Sequence, residues 1–511
     1  MPGMIKADSA SPSEASISHS LLSLQSSSPP AAAAATTTAT ATAPAPPPSS
    51  EERGLRLIHL LYLCANAVAS NDLQHANLFM EQLSGLASLT GDPMQRVATY
   101  FLEGLAARVT KSWPGLYKAL YSTRLSSDSD IAAARHILFS VSPYLKFGYL
   151  TANQAILDAM QGEKVVHVVD LEVGGGNSVL QWLALLQAFS SRPEGPPHLR
   201  ITAVNEKREV LALMGQKLTE SAERLDIPFQ FHPVAVSPAA LERDMLGVKS
   251  GEAVAVTSLM QLHSLLADEK EDGKVRGGDG GGTASFGLAL KERSKSEPGF
   301  VSCKMEELKE SKSGCKRSRD ALGTGFNGIE TNGRDDSGLE LGIGVFPVAP
   351  REAKAGTSST ISRVLQLLHS LSPKIMVVVE QESNHNGALH ERFAPALHYY
   401  SAIFDSLDST LPQHSSERIT VERLIFGQEI RNIVACEGLE RMERHETLSS
   451  WKRRFEQAHF SSSLLSPTTA VQAERLLTIH SPDGYKLHRE KGSLILCWQD
   501  TPMLSVSAWK A

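Results

Sequence analysis

Val165-Val-His-Val-Val-Asp170 and the run that follows it, LEVGGGNSVLQWLALLQAF to Phe189, decide how the rest of the chain is read. An apolar ribbon ending in a carboxylate is the pattern of a parallel strand covered on both faces. The glycines Gly174 to Gly176 then predict a turn, and Leu180, Trp182, Leu183, Leu186 and Phe189 predict a helix folded back on the strand. LRITAV (Leu199 to Val204) reads as a second strand and Val210 to Leu225 as a second helix. FQFHPVAV (Phe229 to Val236), AVAVTS (Ala253 to Ser258) and KIMVVVE (Lys374 to Glu380) extend the series. Such alternation predicts an α/β fold with a doubly wound, Rossmann-type sheet like that of methyltransferases. GYKLHRE, SLILCW and MLSVSAW near the end predict antiparallel strands closing its edge.

Working outward, residues 1–52 are dominated by Ser, Ala, Thr and Pro and predict a disordered tail. From 53 to 150 the spacing turns helical. Leu57, Leu60, Leu61, Cys64 and Val68 share one face, and Leu78, Phe79, Leu83 and Leu86 another. Asp92-Pro93-Met94-Gln95 reads as a helix start, with Asp92 as cap, proline in the first turn and Gln95 reaching back. This segment is expected to form a helical cap. The α/β core then falls into two parts, 151–267 and 359–511. Between them lies 268–358, rich in Gly, Ser, Lys and Glu and read as a long disordered insertion after a helix over Leu259 to Leu266.

Composition narrows the function. The formal net charge of −6 gives no overall attraction to phosphates, so direct DNA binding would need a local basic patch. Lys312 to Arg319 is a candidate import signal, and Arg441 to Arg454 reads as a solvated helix face. Five cysteines, Cys64, Cys303, Cys315, Cys436 and Cys497, lie far apart, which argues against a disulfide framework or a zinc site. No apolar run reaches the roughly 20 residues that span a bilayer, so no membrane role is expected.

The chemistry-bearing candidates are few. Asp170, Gly174, Gly176 and, after the second strand, Glu206 are arranged like a methyl-donor site, with Glu206 placed to hold a ribose. Glu172, however, stands where the first glycine of such a turn belongs, and its side chain would crowd the ligand. The preferred reading is therefore a fold-level likeness with no bound cofactor; S-adenosylmethionine chemistry or small-molecule binding is the alternative. His167, inside an apolar strand, reads as a hydrogen-bonded core residue. There is no H-E-x-x-H, no G-x-S-x-G and no Walker loop, so neither catalysis nor a metal is expected.

The same residues carry a resemblance. Val166, His167, Val168, Val169 and Asp170 are similar to the V-H-I-I-D signature of the GRAS family. Gln181-Trp182, LLQAF and SRPEGPPHLRIT (Ser191 to Thr202) follow it as in that block. Pro373, Phe393, Tyr399-Tyr400 and IRNIVACEG (Ile430 to Gly438) continue the likeness. Arg444 and Glu446 of RHE, then Trp451, Trp498 and the terminal Ser507-Ala508-Trp509, resemble the family's closing signature. LQAFSSRPEGPPHLRIT, ERLDIPFQF and ESNHNGALHERF resemble the Scarecrow-like branch. The chain departs from the family pattern in its longer stretch from Asp170 to Gln181, its extended insertion, and His459 where glycine is usual.

The resemblance implies a nuclear plant transcriptional coregulator that is not an enzyme. It further implies homo- or heterodimers, partnership with DELLA-type GRAS proteins and indeterminate-domain zinc-finger transcription factors, indirect contact with DNA, and a place in gibberellin-linked growth. On this reading Trp451, Trp498 and Trp509 are core anchors more than contact residues.

Overall fold

The computed structural model describes residues 49–121, 126–171, 178–269, 359–480 and 484–511. Helix α1 (Ser50–Ala69) opens it, three residues ahead of the expected boundary at 53. Ser49 and Glu52 form a capping box that starts the helix within the expected tail. Helices α2 (Leu73–Leu86), α3 (Pro93–Thr110), α4 (Pro114–Tyr121), α5 (Asp128–Val141) and α6 (Pro143–Ala159) follow. At the start of α3, Asp92 Oδ1 accepts from the Gln95 amide at 2.9 Å and Gln95 Oε1 accepts from the Asp92 amide at 3.2 Å. The expected cap is in place, with Pro93 in the first turn.

The expected 53–150 cap is incomplete by itself. After α10 (Leu389–Asp408), helix α11 (Ser416–Val421), a π-helical turn (Glu422–Phe426) and α12 (Gly427–Ala435) return to pack on it. A Cβ added at Gly104 of α3 would meet Val434 of α12 at 3.0 Å, so these two helices approach closely because a glycine lies between them. Arg96 of α3 binds Glu422 at 3.0 Å, both side chains buried.

Among the described residues nine strands form one sheet: β1 (Val165–Asp170), β2 (His198–Val204), β3 (Phe229–Val234), β4 (Ala253–Leu259), β5 (Ile375–Gln381), β6 (Ser461–Ser463), β7 (Tyr485–Glu490), β8 (Ser493–Trp498) and β9 (Thr501–Lys510). The order is β3-β2-β1-β4-β5-β9-β8-β7, with β6 beside β9. Strands β1 to β5 run parallel. The expected antiparallel strands close the β5 side of the sheet, in an order the sequence did not specify: β9 lies between β5 and β8, antiparallel to both, and β7 is the edge. The other edge strand, β3, contains Pro233, whose missing N–H is tolerated where there is no further neighbour.

Side-chain alternation divides the core in two. Val166, Val168, Leu199, Ile201, Ala255, Val377 and Val379 face one apolar cluster with α6, α7 (Ser178–Ser190), α8 (Arg208–Arg224), α10 and α14 (Pro467–His480). Val169, Val204, Val254, Val256, Met376 and Val378 face the other, with α9 (Thr360–Ser370) and α13 (Leu448–Gln457). The sheet is therefore wound on both faces, which is why its central strands are rich in valine and why the polar residues they do carry are buried and largely hydrogen-bonded. In α7 the buried apolar residues are Val179, Trp182, Leu185, Leu186 and Phe189, while Leu180 and Leu183, both expected on the buried face, are only half-buried.

Leu259, expected in a helix, ends β4, and a short 3-10 turn (Leu262–Leu266) follows it. The insertion's ends are defined although residues 270–358, including the basic stretch from Lys312, lie outside the described set. Asp268 Oδ2 accepts from the Thr360 amide at 3.3 Å.

Candidate functional site

In a doubly wound sheet ligands enter beyond the carboxyl ends of the strands where the winding reverses, here between β1 and β4. Of the residues of the alternative methyl-donor reading, the described ones are Asp170 and Glu206. Asp170 Oδ2 accepts the Trp182 indole N–H at 2.7 Å, so the carboxylate is turned into the fold by α7. Glu206 lies past the end of β2 with its side chain exposed. Gly174, Gly176 and Glu172 lie outside the described residues. Gln181, beside Trp182, is buried; its amide donates to Asn153 Oδ1 at 3.2 Å and Asn153 donates back to the Gln181 carbonyl at 2.8 Å, tying α7 to α6.

His167 sits in a polar knot at the other end of the strand. Its Nε2 lies 2.7 Å from Thr202 Oγ1, and Arg200 Nη2 lies 3.0 Å from its Nδ1. Arg200 also binds Glu252 and the Gly247 carbonyl, and His232 meets Thr202 at 3.2 Å. Burial, then the Arg200 guanidinium, push the imidazole from 6.5 down to about 4. Burial pushes the Glu252 carboxyl up, but Arg200 outweighs it and holds the group low.

Unfolding therefore releases a histidine that binds a proton near pH 6.5 and a carboxylate that binds one more readily than in the fold. Protons favour the unfolded chain across this window, so the stability contributed by this knot is complete above about pH 6.5 and falls as pH drops toward 4. The histidine's share is on the order of 2–3 kcal/mol. Urea titrations at pH 7 and pH 4.5 check this, and His167→Gln should flatten the slope between them.

The closing-signature residues are interior. Arg444 is buried and donates to the Arg441 and Gly438 carbonyls and to Asn386 Oδ1, at 3.1, 3.0 and 3.1 Å. Glu446 accepts two hydrogen bonds from Arg454, at 2.7 and 2.8 Å, and Arg454 also forks onto Glu269. The stretch Arg441 to Arg454 is thus not a solvated helix face throughout: Arg441 and Arg444 are buried and Arg454 is paired, while of the basic residues in α13 Arg453 is exposed and Lys452 half-buried. Pro373 is buried ahead of β5. Trp451 packs in the second core, and Trp498 donates to Asp405 at 2.7 Å. Ser507, Ala508 and Trp509 pair with Val378, Val377 and Met376 of β5.

What the sequence did not single out is a buried polar cluster beyond the carboxyl ends of β4 and β5. Glu380 Oε1 accepts the amides of Gln261 and Leu262, and Glu380 Oε2 lies 2.8 Å from His263 Nδ1. Glu443 Oε2 lies 3.2 Å from His263 Nε2 and 3.0 Å from His445 Nε2. His385 Nδ1 meets His445 Nδ1 at 2.8 Å. Glu429 accepts from the Tyr400 hydroxyl at 2.9 Å. Burial, with Glu443 nearby, pushes the Glu429 carboxyl up to about 7. A cavity of about 150 Å³, bordered by Arg135, Tyr144, His263, Gln381, Glu429 and Glu443, opens onto this cluster from beneath the cap. The one signal available was Glu380, a carboxylate ending a buried strand as Asp170 does.

Residues 57–510 match the model of the GRAS domain family. The chain is 46% identical over 463 residues to Scarecrow-like protein 3 of Arabidopsis thaliana, covering 90% of each chain. It is 33% identical to Scarecrow-like transcription factor PAT1 of the same plant, covering 88% of this chain and 75% of that one. The crystal structure of SCL7 from Oryza sativa superposes with a TM-score of 0.63 and 27% identity, over 89% of this chain and 99% of that one. A family match over nearly all the described residues, a doubly wound sheet, and signature residues in the expected order agree: the chain belongs to the GRAS domain family.

Proposed function

We propose that this GRAS protein is a nuclear plant transcriptional regulator that works by holding other proteins, with its sheet as a scaffold that performs no chemistry. The supporting observation is in the cap. Helix α4 buries none of its residues, and Trp113, Leu116 and Leu120, at helical spacing on one face, are 48%, 47% and 44% exposed. An apolar helix face open to solvent suits a partner helix or groove. DELLA-type GRAS proteins and indeterminate-domain zinc-finger proteins are the partners this reading names, the zinc fingers supplying the contact with DNA. Self-association through the cap is the further assembly it allows. Engagement of Asp170 by Trp182 supports a silent pocket over a methyl-donor enzyme.

The test is binding of purified full-length protein to a zinc-finger partner and to a DELLA protein, with and without Trp113→Asp and Leu120→Asp together. Because both side chains are exposed, the double variant should keep its thermal midpoint and lose partner affinity by about tenfold or more. Unchanged affinity would remove α4 as the docking face. Turnover of S-adenosylmethionine would remove the non-enzymatic reading.

A further inference from the structure

We propose that His263, Glu443 and His445 form a binding site for a single zinc-class divalent cation. The three side chains come from the 3-10 turn after β4 and from the connector before α13, 180 residues away in sequence, and their ligand atoms all lie within 4.8 Å of one another. Both imidazoles present Nε2 to the same carboxylate oxygen, at 3.2 and 3.0 Å. Tetrahedral zinc with bonds of roughly 2.0–2.1 Å needs ligand atoms about 3.3 Å apart, close to the two nitrogen–oxygen separations already present, and the whole set lies within 4.8 Å. His445 Nε2, although this near Glu443, has no hydrogen-bond partner among the described residues.

The surroundings match a cation site in three further ways. First, the far nitrogen of each ring is held: His263 Nδ1 by the Glu380 carboxylate at 2.8 Å, His445 Nδ1 by His385 at 2.8 Å. A carboxylate behind a ligating histidine fixes the ring and raises its basicity. Second, Glu380 is itself fixed by two backbone amides, so the outer shell is rigid. Third, a dication offsets the charge of two carboxylates, the buried Glu380 and the half-buried Glu443. Two imidazole nitrogens and one carboxylate are a donor set suited to zinc, and the adjoining cavity leaves space for a fourth ligand such as water. The cation would clamp the connector that carries Arg444 and Glu446 onto the ends of β4 and β5.

Full-length protein, stripped with chelator and desalted, is titrated with Zn²⁺ by calorimetry and with Co²⁺ by visible absorption. One equivalent per chain is expected, with tetrahedral cobalt bands and a higher thermal midpoint in the presence of zinc. Glu443→Gln should lose the bands and the thermal shift. Glu380→Gln keeps every ligand and should weaken binding by about 10- to 100-fold, which decides the matter if Glu443→Gln does not fold. Folded wild-type protein that binds neither ion would overturn the site and leave a purely hydrogen-bonded cluster. So would binding that survives both variants, or binding that disappears with Cys303→Ser and Cys315→Ser instead.

Discussion

Replacing Glu422 with alanine should lower the unfolding free energy by about 3–5 kcal/mol, read from the urea midpoint at unchanged slope. Its carboxylate sits between two fully buried guanidinium groups, Arg96 at 3.0 Å and Arg418 at 2.9 and 3.0 Å. Burial raises the Glu422 carboxyl more than the two arginines lower it, a sign that desolvation here is severe. Removing the acid leaves Arg418 with the Gln413 carbonyl, and Arg96 with Asp408 and the Gly91 carbonyl. Two buried cations then face each other with no shared anion. Because Arg96 is on α3 and Glu422 in the turn before α12, the loss should loosen the joint between the first helices and the returning segment. Amide exchange in α3 and α12 should rise more than in β1 or β4.

A comparable loss, about 3–5 kcal/mol, is expected for Trp509→Ala. Its ring stacks on Phe455 with centroids 4.6 Å apart and planes within 10°, and its N–H donates to Ser507 Oγ at 2.9 Å. The deletion opens a void between α13 and β9 and strands the Ser507 hydroxyl. Trp509→Phe keeps the stack and should lose much less, with the two unfolding midpoints as the comparison. Impaired regulation by such closing-signature variants would then follow from the fraction of chain folded, and should be rescued by lower temperature. A variant that is fully folded yet inactive would instead mark Trp509 as a partner contact.

Most of the sheet was legible because its strands are buried on both faces and therefore written in valine and isoleucine, and because the Asp92 cap is local chemistry. Placement of β9 was not. MLSVSAW reads as a strand in any position, and its insertion between β5 and β8 is fixed by pairing across more than a hundred residues of sequence. The return of α11 and α12 onto the cap was hidden for the same reason: Arg96 and Glu422 are each unremarkable until they are brought to 3.0 Å. The basic stretch from Arg441 misled because charge alone does not tell a solvated cation from one satisfied by backbone carbonyls. His263, His385 and His445 have no ligand-like spacing, and only the packing of the connector against the β4 and β5 ends brings them together.

One consequence lies in the short bridge between Asp268 and Thr360. A chain that leaves and re-enters a domain at a single point can carry passengers of very different length between those posts, since each doubling of the loop adds only about 0.6 kcal/mol of closure entropy. Evolution can therefore lengthen, shorten or rewrite what hangs there without renegotiating the sheet. The gateway between β4 and α9 is the natural place to graft a reporter or a tether without disturbing the rest of the molecule.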